Sequence, residues 1–282
     1  MAKLKGKRVL VTGAAHGIGR RLCECLAKDG CTLVITDLDA GALSTAASEL
    51  SAHGVSVHTY PMDVSDRAAV EKMAADVGVR LGGLDILVNN AGIGHNGEIV
   101  ETSIEKWEQL MAVNFWGPMY HVYAFLPMMV RQGSGHIVNV SSGQAFYRVP
   151  TWGPYATIKC ALGAFSELLA LELKKFDVKV TTVYPYMVST GFYKEVKGET
   201  LGTRLSMKLL PFYSQSPRKV ARIIHKAIRK QKSVEMVSLI NNLGYFSRLL
   251  PPLSNLMSNM SLLFLGKDAD VLRREAGMFQ DN

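Results

Sequence analysis

Tyr155 and Lys159 stand four apart in Tyr155-Ala-Thr-Ile-Lys159, a spacing that sets a phenol and an ammonium on one face of a helix. A free tyrosine ionises near pH 10, too high for efficient proton exchange at neutral pH. A neighbouring cation favours the phenolate and makes the group a usable acid/base. As an isolated pair, Tyr-x-x-x-Lys is a common helical surface pattern. Its surroundings add chemistry. Ser142 closes the run Val138-Asn139-Val140-Ser141-Ser142, 13 residues before Tyr155. A hydroxyl beside such a phenol can hold an alcohol or carbonyl oxygen while charge develops on it. Ser141 is the alternative for that part. Asn89-Asn90-Ala91-Gly92 ends a second apolar run, and Asn114 lies in a helical stretch broken near Pro118.

A glycine-rich segment, Thr12-Gly13-Ala14-Ala15-His16-Gly17-Ile18-Gly19, joins a short apolar run to a helical one. Glycines there allow a tight turn and close approach of backbone to a pyrophosphate, which the following helix N-terminus attracts. The spacing departs from the commoner G-x-G-x-x-G. Asp37 ends the next run, and Leu38 and Asp39 follow it. A carboxylate there can accept from both ribose hydroxyls and would repel a 2′-phosphate, so NAD is favoured over NADP. His16, beside the turn where some NADP users carry a basic residue, is the one opposing sign.

These groups need a frame. Apolar runs at 8–12, 31–36, 55–61, 85–89, 136–140 and 179–184 alternate with helical stretches at 18–28, 39–53, 66–81, 103–130 and 155–176. The runs are continuous rather than alternating, so both faces of each strand are covered, which argues a parallel sheet between two helix layers. The expected fold is a doubly wound, Rossmann-like three-layer α/β/α domain with a C-terminal substrate-lid extension. Residues 1–195 form its dinucleotide-binding and catalytic core. Residues 196–282 add the lid, a basic amphipathic helix at 217–231, a last strand at 234–240 and an apolar tail.

Together these motifs, in this order over about residues 6–195, resemble the short-chain dehydrogenase/reductase family in its single-domain branch. The resemblance implies that Gly13, Gly17 and Gly19 bind the pyrophosphate with Ile18 packed there and His16 beside it. It implies that Asp37 holds the adenosine ribose, Asp63 and Val64 edge the adenine, and Asn90, Ala91 and Gly92 support the middle of the cofactor. Ser142 would hydrogen-bond the substrate oxygen and Tyr155 transfer the proton. Lys159 would bind the nicotinamide ribose and lower the tyrosine pKa, and Asn114 would place a water on Lys159. Val188 and Thr190 would meet the carboxamide. Two departures stand out: Pro185-Tyr186 where the family usually has Pro-Gly, and Ile158 where it often has Ser.

Substrate-binding candidates lie in the loops: Gly94, His95 and Asn96; Phe146, Tyr147 and Trp152; Tyr186, Phe192 and Tyr193. So many aromatics suggest a large apolar substrate. The tail, similar to that of members acting on steroids, retinoids or long-chain lipids, agrees by analogy. The expected activity is NAD(H)-dependent interconversion of a lipophilic secondary alcohol and ketone. One alternative is reduction of a β-ketoacyl thioester; another is an NAD-binding membrane or partner module with little turnover.

Composition narrows the partners. The net charge of +8 belongs to one segment: 1–193 are neutral, 194–232 carry +9 and 233–282 carry −1. That basic segment could meet an anionic membrane through 217–265, but it lacks the interleaved aromatics of a nucleic-acid reader. Residues 249–266 carry no charge, yet Pro251, Pro252 and several Ser and Asn argue against a spanning helix. Cys23, Cys25, Cys31 and Cys160 lack metal-site spacing, so no metal and reduced thiols are expected. With no signal-like apolar run at the start, a cytoplasmic protein is expected, peripheral to a membrane at most, and a homodimer or homotetramer through 103–130 and 155–176.

Overall fold

The short β-branched and leucine-rich runs of the sheet interior become strands because they are sandwiched between helices, where pleated apolar side chains pack on both faces, while the two edge strands are partly exposed. The computed structural model describes residues 3–147, 149–189 and 214–247, with single positions at 205, 208–209, 252, 256, 259–260 and 262. In chain order the elements are β1 (Arg8–Thr12), α1 (Gly17–Lys28), β2 (Thr32–Asp37), α2 (Ala40–Ser51), β3 (Val57–Pro61), α3 (Arg67–Leu81), β4 (Ile86–Asn89) and α4 (Ile104–Met111). A π-helical turn (Ala112–Trp116) leads into α5 (Gly117–Gln132), then β5 (Gly135–Val140), α6 (Gly153–Glu172), β6 (Val178–Tyr184), α7 (Pro217–Lys230), β7 (Val234–Met236) and α8 (Leu239–Ser247).

The seven strands are parallel, in the order β3-β2-β1-β4-β5-β6-β7. The winding reverses between β1 and β4, and a crevice opens at such a switch point beyond the strand ends. Register brings the ends level: Val11 pairs with Val88, Asn89 with Asn139 and Val140 with Val183. Gly13, Asn90 and Ser141 therefore leave the sheet along one edge.

Alternate strand residues feed two cores. Val9, Val11, Leu33, Ile35 and Val88 pack against Leu22 and Leu26 of α1 and Val220, Ile224 and Ile228 of α7. Leu10, Val34, Leu87 and Ile137 meet Met73 and Val77 of α3, Phe125 and Met129 of α5 and Leu169 of α6. Full burial of each such side chain contributes about 1.5–3 kcal/mol.

Two expectations change. The apolar stripe of α7 lies buried on α1, and His225 adds a 2.8 Å contact from Nε2 to Asp29. That helix can therefore offer a membrane its charges but not its apolar face. The last strand stops at Met236, because Ser238 starts α8, its Oγ accepting from Ile240 N. The 103–130 stretch is interrupted just before Pro118, where a π-turn separates α4 from α5 and leaves the proline in the first turn of α5.

Candidate active site

The turn after β1 is fastened to the loop after β4. Thr12 Oγ1 accepts from the amides of Asn90 and Ala91 at 3.0 and 2.9 Å, while Asn90 Nδ2 donates to the carbonyls of Thr12 and Gly13 at 2.9 and 3.1 Å. Gly13 has φ +65°, and a Cβ on Gly19 would stand 2.1 Å from the Gly13 carbonyl oxygen. Only glycine fits there. His16 occupies the N-cap of α1 but gives no side-chain cap, and no acidic residue stands in the first turn. The first N–H groups of that helix are thus left for an anion. The His16 ring lies 3.4 Å from Asp39. Asp37 Oδ2 accepts from Ala15 N at 2.9 Å and Oδ1 from Asp39 N at 3.2 Å, so the carboxylate is held beside the turn. At the next strand end, Asp63 caps its own turn through Ser65, and Val64 is buried against Gly117.

The other side of the cleft comes from β5 and α6. Helix α6 is tied to the sheet by a buried chain: Asn89 Nδ2 donates to Asn139 Oδ1, Asn139 Nδ2 to Ser166 Oγ, and Ser166 Oγ to the Leu162 carbonyl, at 2.8, 2.8 and 2.7 Å. Tyr155 and Lys159, both buried, share the face of α6 that meets the strand ends. Lys159 Nζ donates to the Val140 carbonyl at 3.1 Å and lies 5.7 Å from the Tyr155 ring centre. Burial pushes its pKa down to about 8. Ser141 Oγ donates to the Lys159 carbonyl at 2.8 Å and is committed to that bond. Ser142 Oγ accepts from Gln144 N at 3.2 Å and lines the cleft on both of its sides.

Asn114 sits fully buried on the π-turn, a distortion frequent at functional sites. Its Nδ2 donates to the carbonyls of Ile93 and Leu110 at 3.0 and 3.1 Å, and Oδ1 accepts from Ile93 N at 3.2 Å. A Cβ on Gly92 would lie 2.7 Å from Asn114 Oδ1 and 3.5 Å from Lys159 Nζ, so the asparagine and the lysine converge there.

The cleft has two lobes that share Ser142, Tyr155, Pro185 and Met187. The outer lobe is completed by Ile18, Asn90, Gly92, Val140, Ser141, Lys159 and Val188. The inner one is completed by Gln144, Trp152 and Tyr186. Trp152 meets Tyr155 edge to face, ring centres 5.8 Å apart. Three other expected substrate contacts are not in this lining, although Tyr147 packs on Tyr186 with ring centres 5.9 Å apart. His95 turns to Thr102 Oγ1 at 3.1 Å, Phe146 packs on Tyr184 with ring centres 4.6 Å apart, and Tyr147 donates to the Ile240 carbonyl. His95 has found a partner in its own loop, Phe146 at the sheet end and Tyr147 in α8. Thr190, Phe192 and Tyr193 lie outside the described residues. Gln144, Pro185 and Met187 line the cleft without having been expected to. The signal for Gln144 was its amide two residues past Ser142; Met187, at φ +26°, left none.

Residues 7–200 match the family described as short chain dehydrogenase. Probable oxidoreductase EphD of Mycobacterium tuberculosis is 37% identical over 240 residues, covering 82% of this chain and 40% of that one. The chain thus spans about two-fifths of that relative's length. Human estradiol 17-beta-dehydrogenase 11 is 33% identical over 249 residues, 87% of this chain and 80% of the relative. Among solved structures, a short chain dehydrogenase/reductase from Burkholderia phymatum in complex with NAD superposes with a TM-score of 0.77 at 29% identity, covering 84% of this chain and 90% of that one. An alcohol dehydrogenase from the archaeon Thermococcus sibiricus, complexed with 5-hydroxy-NADP, superposes with a TM-score of 0.71 at 27% identity, covering 82% and 95%. By its matched length, its sequence relatives and its sheet order, the chain belongs to the short-chain dehydrogenase/reductase family of oxidoreductases.

Proposed function

We propose that this protein interconverts a lipophilic secondary alcohol and its ketone, using NAD(H). The observation that carries the reading is the junction of the two lobes: a hydroxyl and a phenol, Ser142 and Tyr155, face both, with a buried cation behind the phenol. NAD(H), when bound, supplies hydride exchange at its nicotinamide carbon. Ser142 donates a hydrogen bond to the substrate oxygen. Tyr155 gives that oxygen its proton in reduction and takes it in oxidation. Lys159, held near pKa 8, is mostly cationic at neutral pH and favours the phenolate form of its neighbour. Among the described residues two of its three N–H donors remain after the bond to Val140, and Asn114 converges with it at Gly92. Asn114 would hold a water on this cation.

The bare N-terminus of α1 and the glycine cradle fit a pyrophosphate. Gly13, Gly17 and Gly19 would hold it, with Ile18 and His16 alongside. Asp37 would take the ribose, Asp63 and Val64 the adenine edge, and Asn90, Ala91, Gly92 and Val188 the nicotinamide half; Thr190 completes that set in sequence. The Asp37 carboxylate repels a 2′-phosphate, which supports NAD. The rings of Trp152 and Tyr186 with Pro185 and Met187 support an apolar substrate. So does the likeness to human estradiol 17-beta-dehydrogenase 11.

Exposed Ile104, Trp116, Tyr123, Leu168 and Leu171 on α4, the π-turn, α5 and α6 support assembly as a dimer or tetramer. Exposed Leu239, Leu243 and Phe246 of α8, with the charges of α7, support a peripheral membrane contact.

NADH-linked absorbance against steroid, retinoid, long-chain and small alcohols and ketones, with NADP(H) in parallel, tests the reading. Turnover of bulky apolar members with NAD is expected, and Asp37→Ala should narrow the preference over NADP. No turnover of any member while NADH binds would sink it.

A further inference from the structure

Helix α8 inverts the usual pattern of a surface helix. Leu239, Leu243, Tyr245 and Phe246 stand exposed, while the amide of Asn241 is fully buried. A buried polar group carries more information than an exposed apolar one. Asn241 Nδ2 donates to the Tyr184 carbonyl at 2.5 Å, at the end of β6. Its Oδ1 fills the space beside Gly143, where a Cβ would stand 2.3 Å from it. One side chain therefore touches both the end of β6 and the residue after Ser142. Between those points the serine has little slack. Ser141 N donates to the Val183 carbonyl at 2.8 Å, and Gly143 N to the Pro185 carbonyl at 2.7 Å. The same helix holds the rest of the turn. Tyr245 meets Phe146 edge to face, ring centres 5.3 Å apart, and Tyr147 donates to the Ile240 carbonyl.

We infer that Asn241 is a positioning residue for Ser142. Its amide sets the spacing between the turn after β5 and the end of β6, and with it the direction of the Ser142 hydroxyl toward the substrate oxygen. Asn241 itself touches no substrate. This rests on the proposed dehydrogenase activity and extends its machinery to a helix outside the cleft. A leucine in its place would pack there but donate nothing. The Tyr184 carbonyl would keep only the Val237 amide, 3.2 Å away, and the turn could shift. A misplacement of about 1 Å at a reacting group can cost about 100-fold in rate.

The test follows NADH formation on cyclododecanol or estradiol, whichever wild type oxidises faster, and expresses kcat per site titrated by NADH fluorescence. It compares wild type, Asn241→Leu, Ser142→Ala and the double variant. The leucine variant should lose about 10–100-fold in kcat with NADH affinity kept. In the Ser142→Ala background the same substitution should cost nothing further, because residues that act as one unit are not additive. A purely structural role would lower Tm and the yield of NADH-binding sites but leave kcat per site unchanged. Asn241→Ser, a milder change, gives the same comparison should the leucine variant not fold. Unchanged kcat per site, or an equal fold-loss in both backgrounds, overturns the inference and leaves the dehydrogenase reading standing. A wild type that binds NADH and oxidises neither probe overturns both.

Discussion

Thr12 and Ser142 each place a hydroxyl at the end of a parallel strand, and the structure treats them in opposite ways. Thr12 Oγ1 accepts from two backbone amides and fixes one loop to another. Ser142 Oγ accepts from one amide and faces both lobes of the cleft. Ser141, one residue away, behaves like Thr12, its hydroxyl given to the Lys159 carbonyl. A saturated polar atom holds the frame; one with spare capacity is free for a ligand. By that measure the glycine turn is a built cradle. The inner lobe holds Ser142, whose hydroxyl accepts from a single amide among the described residues.

The comparison breaks most sharply at its shared member. Tyr155→Phe should lower kcat by about 10²–10⁴-fold while NADH binding persists, measured by turnover and fluorescence titration. Next comes the cradle. Gly19→Ala forces a Cβ to 2.1 Å from a backbone oxygen that is itself tied to Asn90. Overpacking of this kind costs about 1–3 kcal/mol, and NADH affinity should fall about tenfold or more together with Tm. On the inner lobe, Trp152→Ala removes the ring beside Tyr155. Substrate kcat/KM should fall by about tenfold with NADH affinity kept. Equal losses of both would mean the two regions are not separable.

The smallest effect should touch both regions alike. His121 on α5 and His136 on β5 are buried, and burial pushes each down to about 4. The unfolded chain binds protons at these sites from about pH 6.5 downward, whereas the folded one stays neutral until about 4. Stability is therefore full above the unfolded value and drains away as pH falls from 6.5 toward 4. His136→Gln should flatten the fall of Tm in that window by about 2–4 °C, seen in melts at several pH values.

The frame was legible because it is periodic: six strands and the helices between them follow from apolar runs and from caps such as Asp39 and Asp66. So was the chemistry, since Ser142, Tyr155 and Lys159 are unusual residues at fixed spacing. The inner lobe was harder to see. Phe146 and Tyr147 have the composition of pocket walls, but each packs against partners far along the chain, Tyr184 and α8. Helix α8 itself was hidden, because a nine-residue apolar stretch after a strand has no period long enough to separate helix from strand. Gln144 needed the fold to show that its amide ends up buried.

The π-turn before α5 carries one more consequence. There the amide of Gly117 reaches back to the Ala112 carbonyl, one residue farther than an α-helix allows. That surplus residue shifts the phase of everything downstream by about 100°. It lets Asn114 reach the Ile93 carbonyl in the loop after β4 while Phe125 and Met129 still join the core under the sheet. A chain shortened by one residue here would make a smoother rod, but could satisfy only one of those two orientations. The length of this segment therefore matters as much as its chemistry: an insertion or deletion would turn one of those two sets of side chains away.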